Sequence, residues 1–467
     1  MSIKTFTSAF RLGDVRGIYP NEIDEPFAFS FGQAFAAHFN LSGSIAVGRD
    51  MRDSSLSLQQ SLIDGLSKAG LKVLDLGLCT TELGYFASTQ VNIRAVIIVT
   101  ASHNPANYAG FKCVLDQGKA VTFHTGLSDV MSLMLTNYRT KKPGGSQTEI
   151  DLLPAYIDYV SSKFSPQQWT TLPKIALNGL NGTAVTLAEQ LAKKFELDVL
   201  WFRKKSGPFP SEGADPTKPA LVKEMQEYMS RDNFGLGIAW DGDCDRCVFY
   251  DASGKLIPTY YIVGIFSQHF LQRHKAATIV FDGKLRWNTL DIIKQNGGIP
   301  HISETGHAFM KRHMKLTGAV YGGELSAHHY FSDFFHCDSG MFAWLTLLEW
   351  LVNNSDQNLE ALISQRRSFH PSTPEISLSF ENPDTALEII RRHYSPRALD
   401  TQQFDGVSYV MPGDWRFCIT PSKTENVVRF NFESRGNADD LLQHADDLFS
   451  LMDPLRISDE EINLTIQ

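Results

Sequence analysis

Apolar residues recur along this chain in two rhythms, and the rhythms alternate. Leu58, Leu62 and Leu66 fall four apart, the spacing of one helix face, and Gly70 can end that helix. Short unbroken apolar runs separate such stretches: Ser44–Gly48, Val73–Leu76 and Ala95–Val99 read as buried strands. With a helix over Pro26–His38, the first stretch is α/β with a mostly parallel sheet. Lys141-Lys142-Pro143-Gly144-Gly145-Ser146 is the first credible linker. A second unit follows: helix Leu153–Phe164, strand Lys174–Leu177, a helix marked by Leu187, Leu191 and Phe195, and strand Gly235–Trp240. The alternation restarts at Tyr260 with helix Tyr260–Gln272 and strand Thr278–Phe281, and closes with the apolar helix Gly340–Val352. Past residue 369 the order changes to strand Ile376–Phe380, helix Thr385–Tyr394, strands near Val407 and Phe417, strand Val427–Phe432 and a helix from Ala438, a smaller α+β domain. The expected domains are 1–145, 146–252, 253–368 and 369–467.

Four polar loops interrupt this pattern. Thr100-Ala101-Ser102-His103-Asn104-Pro105 follows a buried strand, where α/β proteins place their chemistry. Asp241-Gly242-Asp243-Cys244-Asp245-Arg246 puts three carboxylates at alternate positions after a strand. Their mutual repulsion calls for a cation, and an all-oxygen set suits Mg²⁺. Arg246 and Ala252 stand where a calcium-binding EF-hand needs Gly and Glu, and Cys244-x-x-Cys247 lacks the second pair of a zinc site. Gly322-Gly323-Glu324-Leu325-Ser326-Ala327-His328-His329 gathers hydrogen-bonding groups suited to vicinal sugar hydroxyls. Thr305-Gly306-His307 opens a helix and makes His307 a candidate acid/base, and Lys284 and Arg286 follow the strand at Phe281. In the tail, Ser422, Lys423, Thr424 and Arg429 form a turn able to hold a phosphate dianion.

A 467-residue chain exceeds one core. A net charge of −9 argues against nucleic acid or an anionic membrane as partner. No apolar run approaches a membrane span, the N-terminus lacks a signal peptide's apolar core, and six cysteines do not suggest a disulfide framework, so a cytoplasmic protein is expected.

These loops, in this order and at about this spacing, resemble the α-D-phosphohexomutase family, most closely its bacterial phosphomannomutases, over nearly the whole chain. The resemblance implies three related α/β mixed-sheet domains and a C-terminal α+β domain around a central cleft. It implies a phosphoserine at Ser102, and Mg²⁺ held by Asp241, Asp243, Asp245 and an oxygen on Ser102. Arg16, His103, Lys112 and Arg246 would surround the transferring phosphoryl group. Glu324, Ser326 and His328 would grip sugar hydroxyls, with His307 and Lys284 near the substrate oxygen. The implied reaction interconverts mannose 1-phosphate and mannose 6-phosphate, primed by a hexose 1,6-bisphosphate, in a monomer or homodimer serving GDP-mannose supply. Glucose or dual specificity, a sugar-phosphate-binding homologue without turnover, and a phosphatase using Asp241 as nucleophile are the alternatives. The last is disfavoured by Asp245, where such enzymes carry Thr or Val. Several positions depart from the family pattern: Thr420 replaces an Arg, Asn426 a Pro, Glu304 a Lys, Gly13 a Tyr and Leu325 a Met. Lys423 lacks the guanidinium fork, so a weaker hold on phosphate and a raised KM are expected.

Overall fold

A computed structural model of the chain describes residues 3–165, 169–205, 207–422, 426–457, 462 and 464–467. Two compact units emerge, one of residues 1–256, 306–312 and 327–354, the other of residues 257–305, 313–326 and 355–467. Among the described residues no helix is long and apolar enough to cross a membrane.

The first unit opens with a mixed sheet. Strands Ile93–Val99, Ser44–Arg49, Lys72–Leu78 and Ser146–Glu149 run parallel in that order, and Tyr108–Leu115 and then Val15–Ile18 add antiparallel strands beyond Ile93–Val99. Helices Glu25–His38 and Ser55–Lys68 cover it. Asp24 caps the first by accepting a hydrogen bond from the Phe27 amide, with Pro26 in the opening turn. Phe27, Phe31 and Phe111 fill the space beneath, the last two stacked at 4.9 Å. The second sheet sets Val199–Phe202, Ile175–Asn178 and Leu236–Trp240 parallel and Cys247–Tyr250 antiparallel. A hairpin of His329–Phe331 and Cys337–Asp338 and the apolar helix Gly340–Asn353 complete the unit.

In the second unit, Thr278–Asp282 is flanked by the parallel strands Ile299–Ser303 and Tyr321–Gly323. A fully antiparallel sheet follows, in the order Ile376–Ser379, Val427–Ser434, Trp415–Pro421, Val407–Met411 and Asp400–Gln403, packed against helices Pro383–Tyr394 and Ala438–Met452.

The expected alternation of strands and helices is present, as is the change to α+β in the tail. Several elements lie outside the sequence reading. The short helix Thr81–Ala87 has every residue buried and therefore no polar face to give it a period. Ser146–Glu149 is exposed throughout, yet it extends the first sheet past the Gly144-Gly145 turn by pairing with Lys72–Asp75.

Candidate functional site

Ser102 stands where the strand Ile93–Val99 runs out. Its backbone lies in the left-handed region, at φ 50°, and it is buried. Three contacts hold it there: its amide donates to Thr100 Oγ1 at 2.9 Å, and Arg52 donates to the carbonyls of Ser102 and Asn104, both at 2.7 Å. Asp50 in turn accepts from Arg52 Nε at 3.1 Å and from Thr100 Oγ1 at 2.7 Å. The hydroxyl of Ser102 reaches Asp241 Oδ2 at 3.1 Å and His103 Nδ1 at 3.2 Å. Gly242 permits the approach, because a Cβ there would sit 3.0 Å from the Ser102 carbonyl oxygen and 2.8 Å from the Phe209 ring.

The three aspartates converge as their spacing suggested. One carboxylate oxygen from each of Asp241, Asp243 and Asp245 lies within 4.8 Å of the others, and all three side chains are buried. Lys112 supplies one cation, donating to Asp243 Oδ2 at 2.7 Å and to Asp245. Burial alone would lower its ammonium, but the two carboxylates raise it above its ordinary value. One cation does not satisfy the set. Among the described residues, Asp243 Oδ1 and Asp245 Oδ1 are buried without a hydrogen-bond partner. Burial, then the charges of Asp245 and Asp243, push Asp241 well above the ordinary carboxylate range. Three buried carboxylates gathered in this way, two of them with an oxygen lacking a hydrogen-bond partner among the described residues, fit a divalent metal ion.

A ring of cationic and imidazole groups surrounds this centre in the same unit. Arg16 donates to Asp14 at 2.9 Å and to Asn104 Oδ1 at 2.6 Å. The Arg246 amide donates to Asp241 Oδ1 at 3.2 Å, its Nε donates to His328 Nε2 at 3.1 Å, and its Nη2 lies 3.5 Å from His103 Nε2. With Nε2 accepting, the proton of His328 sits on Nδ1, which faces Asp338 Oδ2 at 3.1 Å. Both nitrogens of His328 are thus engaged within the protein. Burial, then Arg246 and Arg16, hold His103 well below the ordinary imidazole range, so its ring is neutral. His307 is brought down to about 3 by burial and then by Lys311, and among the described residues neither ring nitrogen has a hydrogen-bond partner.

The remaining sequence-derived residues belong to the second unit. Glu324 is buried and Ser326 partly so. Lys284 Nζ donates to Glu375 Oε2 at 2.7 Å, and Arg429 Nε lies 3.5 Å from Glu375 Oε1, so these two cations share one carboxylate. The Ser422 amide donates to the Val427 carbonyl at 2.8 Å, while Lys423 and Thr424 lie outside the described residues. Asp282 links two loops here: it accepts from the Lys284 amide at 3.1 Å and the Leu325 amide at 2.7 Å. Asp50, Arg52, Asp282, Lys311 and Asp338 escaped the sequence reading. Of these only Arg52 carried a signal, an arginine in the loop after a strand.

Known proteins resemble this chain along most of its length. Residues 7–126, 154–254 and 258–369 match the models for the phosphoglucomutase/phosphomannomutase α/β/α domains I, II and III respectively. A phosphomannomutase of Vibrio cholerae is 35% identical over 461 residues, covering 96% of this chain and 99% of its own length. A phosphomannomutase of Escherichia coli K12 is 37% identical over 441 residues, covering 92% and 95%. Among solved structures, a phosphoglucomutase/phosphomannomutase family protein of Burkholderia thailandensis superposes with a TM-score of 0.85 at 27% identity, covering 98% of this chain and 99% of its own. With three domain models covering most of its length and relatives aligned nearly end to end, the chain belongs to the phosphoglucomutase/phosphomannomutase family and is a phosphohexomutase, an intramolecular phosphotransferase of the isomerase class.

Proposed function

We propose that this phosphohexomutase interconverts mannose 1-phosphate and mannose 6-phosphate, with Ser102 as the phosphoryl carrier and a hexose 1,6-bisphosphate as intermediate. One observation carries the reading: the buried Ser102 hydroxyl, on left-handed backbone, lies 3.1 Å from a carboxylate of the three-aspartate cluster. A serine serving only as a turn residue would not need that neighbour or the Arg52–Asp50 brace beneath it.

The steps follow from what each side chain offers. The phosphoryl group on Ser102 Oγ passes to the free 6-hydroxyl of mannose 1-phosphate: the P–O6 bond forms as the P–Oγ bond breaks. His307, neither of whose ring nitrogens has a hydrogen-bond partner among the described residues, accepts the hydroxyl proton. The resulting bisphosphate turns over and returns its 1-phosphoryl group to Ser102, and O1 recovers a proton. The transition state is loose and its charge lies on the equatorial phosphoryl oxygens, so Arg16, Lys112 and Arg246 contribute by charge and by position. Asp241, Asp243 and Asp245, with an oxygen on Ser102, would hold Mg²⁺. Bound there, Mg²⁺ supplies further positive charge to those oxygens. Glu324 and Ser326 grip the sugar hydroxyls, and Ser422, Lys423, Thr424 and Arg429 hold the non-reacting phosphate. His328 acts by aiming Arg246, given that both its nitrogens are taken. The apolar Leu325, beside Glu324, favours mannose or dual use over glucose alone.

A ³¹P NMR time course tests this reading with mannose 1-phosphate and, separately, glucose 1-phosphate, each with Mg²⁺ and a trace of the matching bisphosphate. A 6-phosphate signal growing faster from mannose is expected. A faster glucose reaction would overturn the sugar assignment. No conversion of either sugar, by protein whose Ser102 is phosphorylated by mass, would overturn the carrier role.

A further inference from the structure

The metal loop is held from behind by a residue with no part in the steps above. Glu82, in the first turn of the helix Thr81–Ala87, is fully buried. Its carboxylate collects donors from distant parts of the first unit: Tyr156 OH at 2.8 Å, Cys244 Sγ at 3.1 Å, Ser339 Oγ, and the Met341 backbone amide. Each of these donors is neutral. A carboxylate buried among neutral donors is costly to keep, and burial pushes this one up to about 7. An apolar residue would fill the space at lower cost, so the acceptor calls for a reason.

Cys244 supplies it. This residue sits between Asp243 and Asp245 on left-handed backbone, at φ 67°, a conformation a residue with a side chain adopts reluctantly. The turn it makes lets two aspartates separated by one residue face Asp241 together. It is pinned at both ends: its carbonyl accepts from the Gly340 amide at 3.2 Å, and its thiol donates to Glu82 Oε1. The preceding residue on the same helix acts in parallel, the Thr81 amide donating to the Asp243 carbonyl at 2.9 Å and its hydroxyl to Asp243 Oδ2 at 2.7 Å. Ser339, which also donates to Glu82, caps the helix whose Gly340 holds the Cys244 carbonyl.

We propose that Glu82 is a positioning residue for the metal loop, fixing through Cys244 the left-handed turn that converges the three aspartates. The proposal rests on the reading of Asp241, Asp243 and Asp245 as metal ligands. In Glu82→Gln one carboxylate oxygen becomes an amide donor aimed at existing donors, so the thiol anchor and the Ser339–Tyr156 anchor cannot both survive.

Direct Mn²⁺ binding tests it, read by electron paramagnetic resonance of the free ion in the full-length protein without substrate, since Mn²⁺ takes the same oxygen ligands as Mg²⁺. Thermal unfolding is recorded beside it. Groups that orient metal ligands typically change affinity about 10- to 100-fold when removed, and a loss of that size is expected for Glu82→Gln. Cys244→Ala should lose affinity in the same direction, Cys244→Ser should keep it by retaining a donor, and Asp243→Asn should lose it. A merely structural Glu82 would lower the unfolding temperature and leave the Mn²⁺ affinity of the folded protein alone, which overturns the proposal. A loss in Glu82→Gln without one in Cys244→Ala contradicts the route through Cys244. Where Glu82→Gln fails to fold, the two Cys244 variants decide. Mn²⁺ binding untouched by Asp243→Asn overturns the ligand reading itself, and the proposal with it.

Discussion

Asp338 shows how much of this site turns on single buried groups whose partners lie elsewhere in the chain. Its Oδ1 pairs with Lys311 Nζ at 2.9 Å and its Oδ2 faces His328 Nδ1 at 3.1 Å, with Lys311 and Asp338 both buried. Burial alone would raise its carboxyl, yet Lys311 and His328 hold it well below the ordinary range. Lys311 also lies over the Tyr85 ring, 3.6 Å from its centre. Asp338→Asn leaves the Lys311 ammonium buried without a counter-charge, at an expected cost of about 3–5 kcal/mol in chemical unfolding. Adding Lys311→Met should recover much of that loss, and a double variant as unstable as the single one would contradict the pairing. None of this is written locally. Ser102 and the aspartates are legible because the chemistry of each is packed into a run of six residues, Thr100–Pro105 and Asp241–Arg246. Asp338 and Glu82 look like ordinary polar residues until folding brings partners from far along the chain, 257 residues away for Glu82 and Ser339.

At the scale of elements, legibility follows burial on two sides. Helices with one wet face, such as Ser55–Lys68, announce themselves by period. The helix Thr81–Ala87, dry all round, does not, although it clamps the metal loop through Thr81 and Glu82. The loop after strand Thr278–Asp282 poses a comparable case. Its Asp282 joins the Lys284 and Leu325 amides, and burial pushes its carboxyl from an ordinary 3.8 up to about 7. A raised acid binds its proton more tightly folded than unfolded. Its contribution to stability is therefore complete below about 4 and is lost as pH rises through about 7, at about 1.4 kcal/mol per pH unit at most. Asp282→Asn does not titrate. The advantage of the parent over this variant, measured from urea midpoints, should shrink from pH 5 to pH 7 and then stay level. Parallel pH profiles would show that Asp282 has an ordinary proton affinity in the fold.

For the whole molecule, the alternation of apolar rhythms gave the succession of α/β domains and the α+β tail, and four loops gave the family. The composition of the compact units was not legible. Residues 306–312 and 327–354 join the first unit, although they fall within the stretch matched to domain III. For residues 327–354 the reason is backbone pairing that no pattern encodes: Arg246 bridges to His328, and the Gly340 amide donates to Cys244. The central claim for the molecule is that one serine carries the phosphoryl group between two positions of a sugar. The most direct measurement is a label transfer: protein exchanged with ³²P-labelled hexose 1,6-bisphosphate, digested to locate the label, and in parallel chased with unlabelled mannose 1-phosphate. The account predicts label on the peptide containing Ser102, its passage into sugar phosphate within a turnover, and no label in Ser102→Ala. Label on another residue, its release as inorganic phosphate without transfer, or full turnover by Ser102→Ala would contradict it.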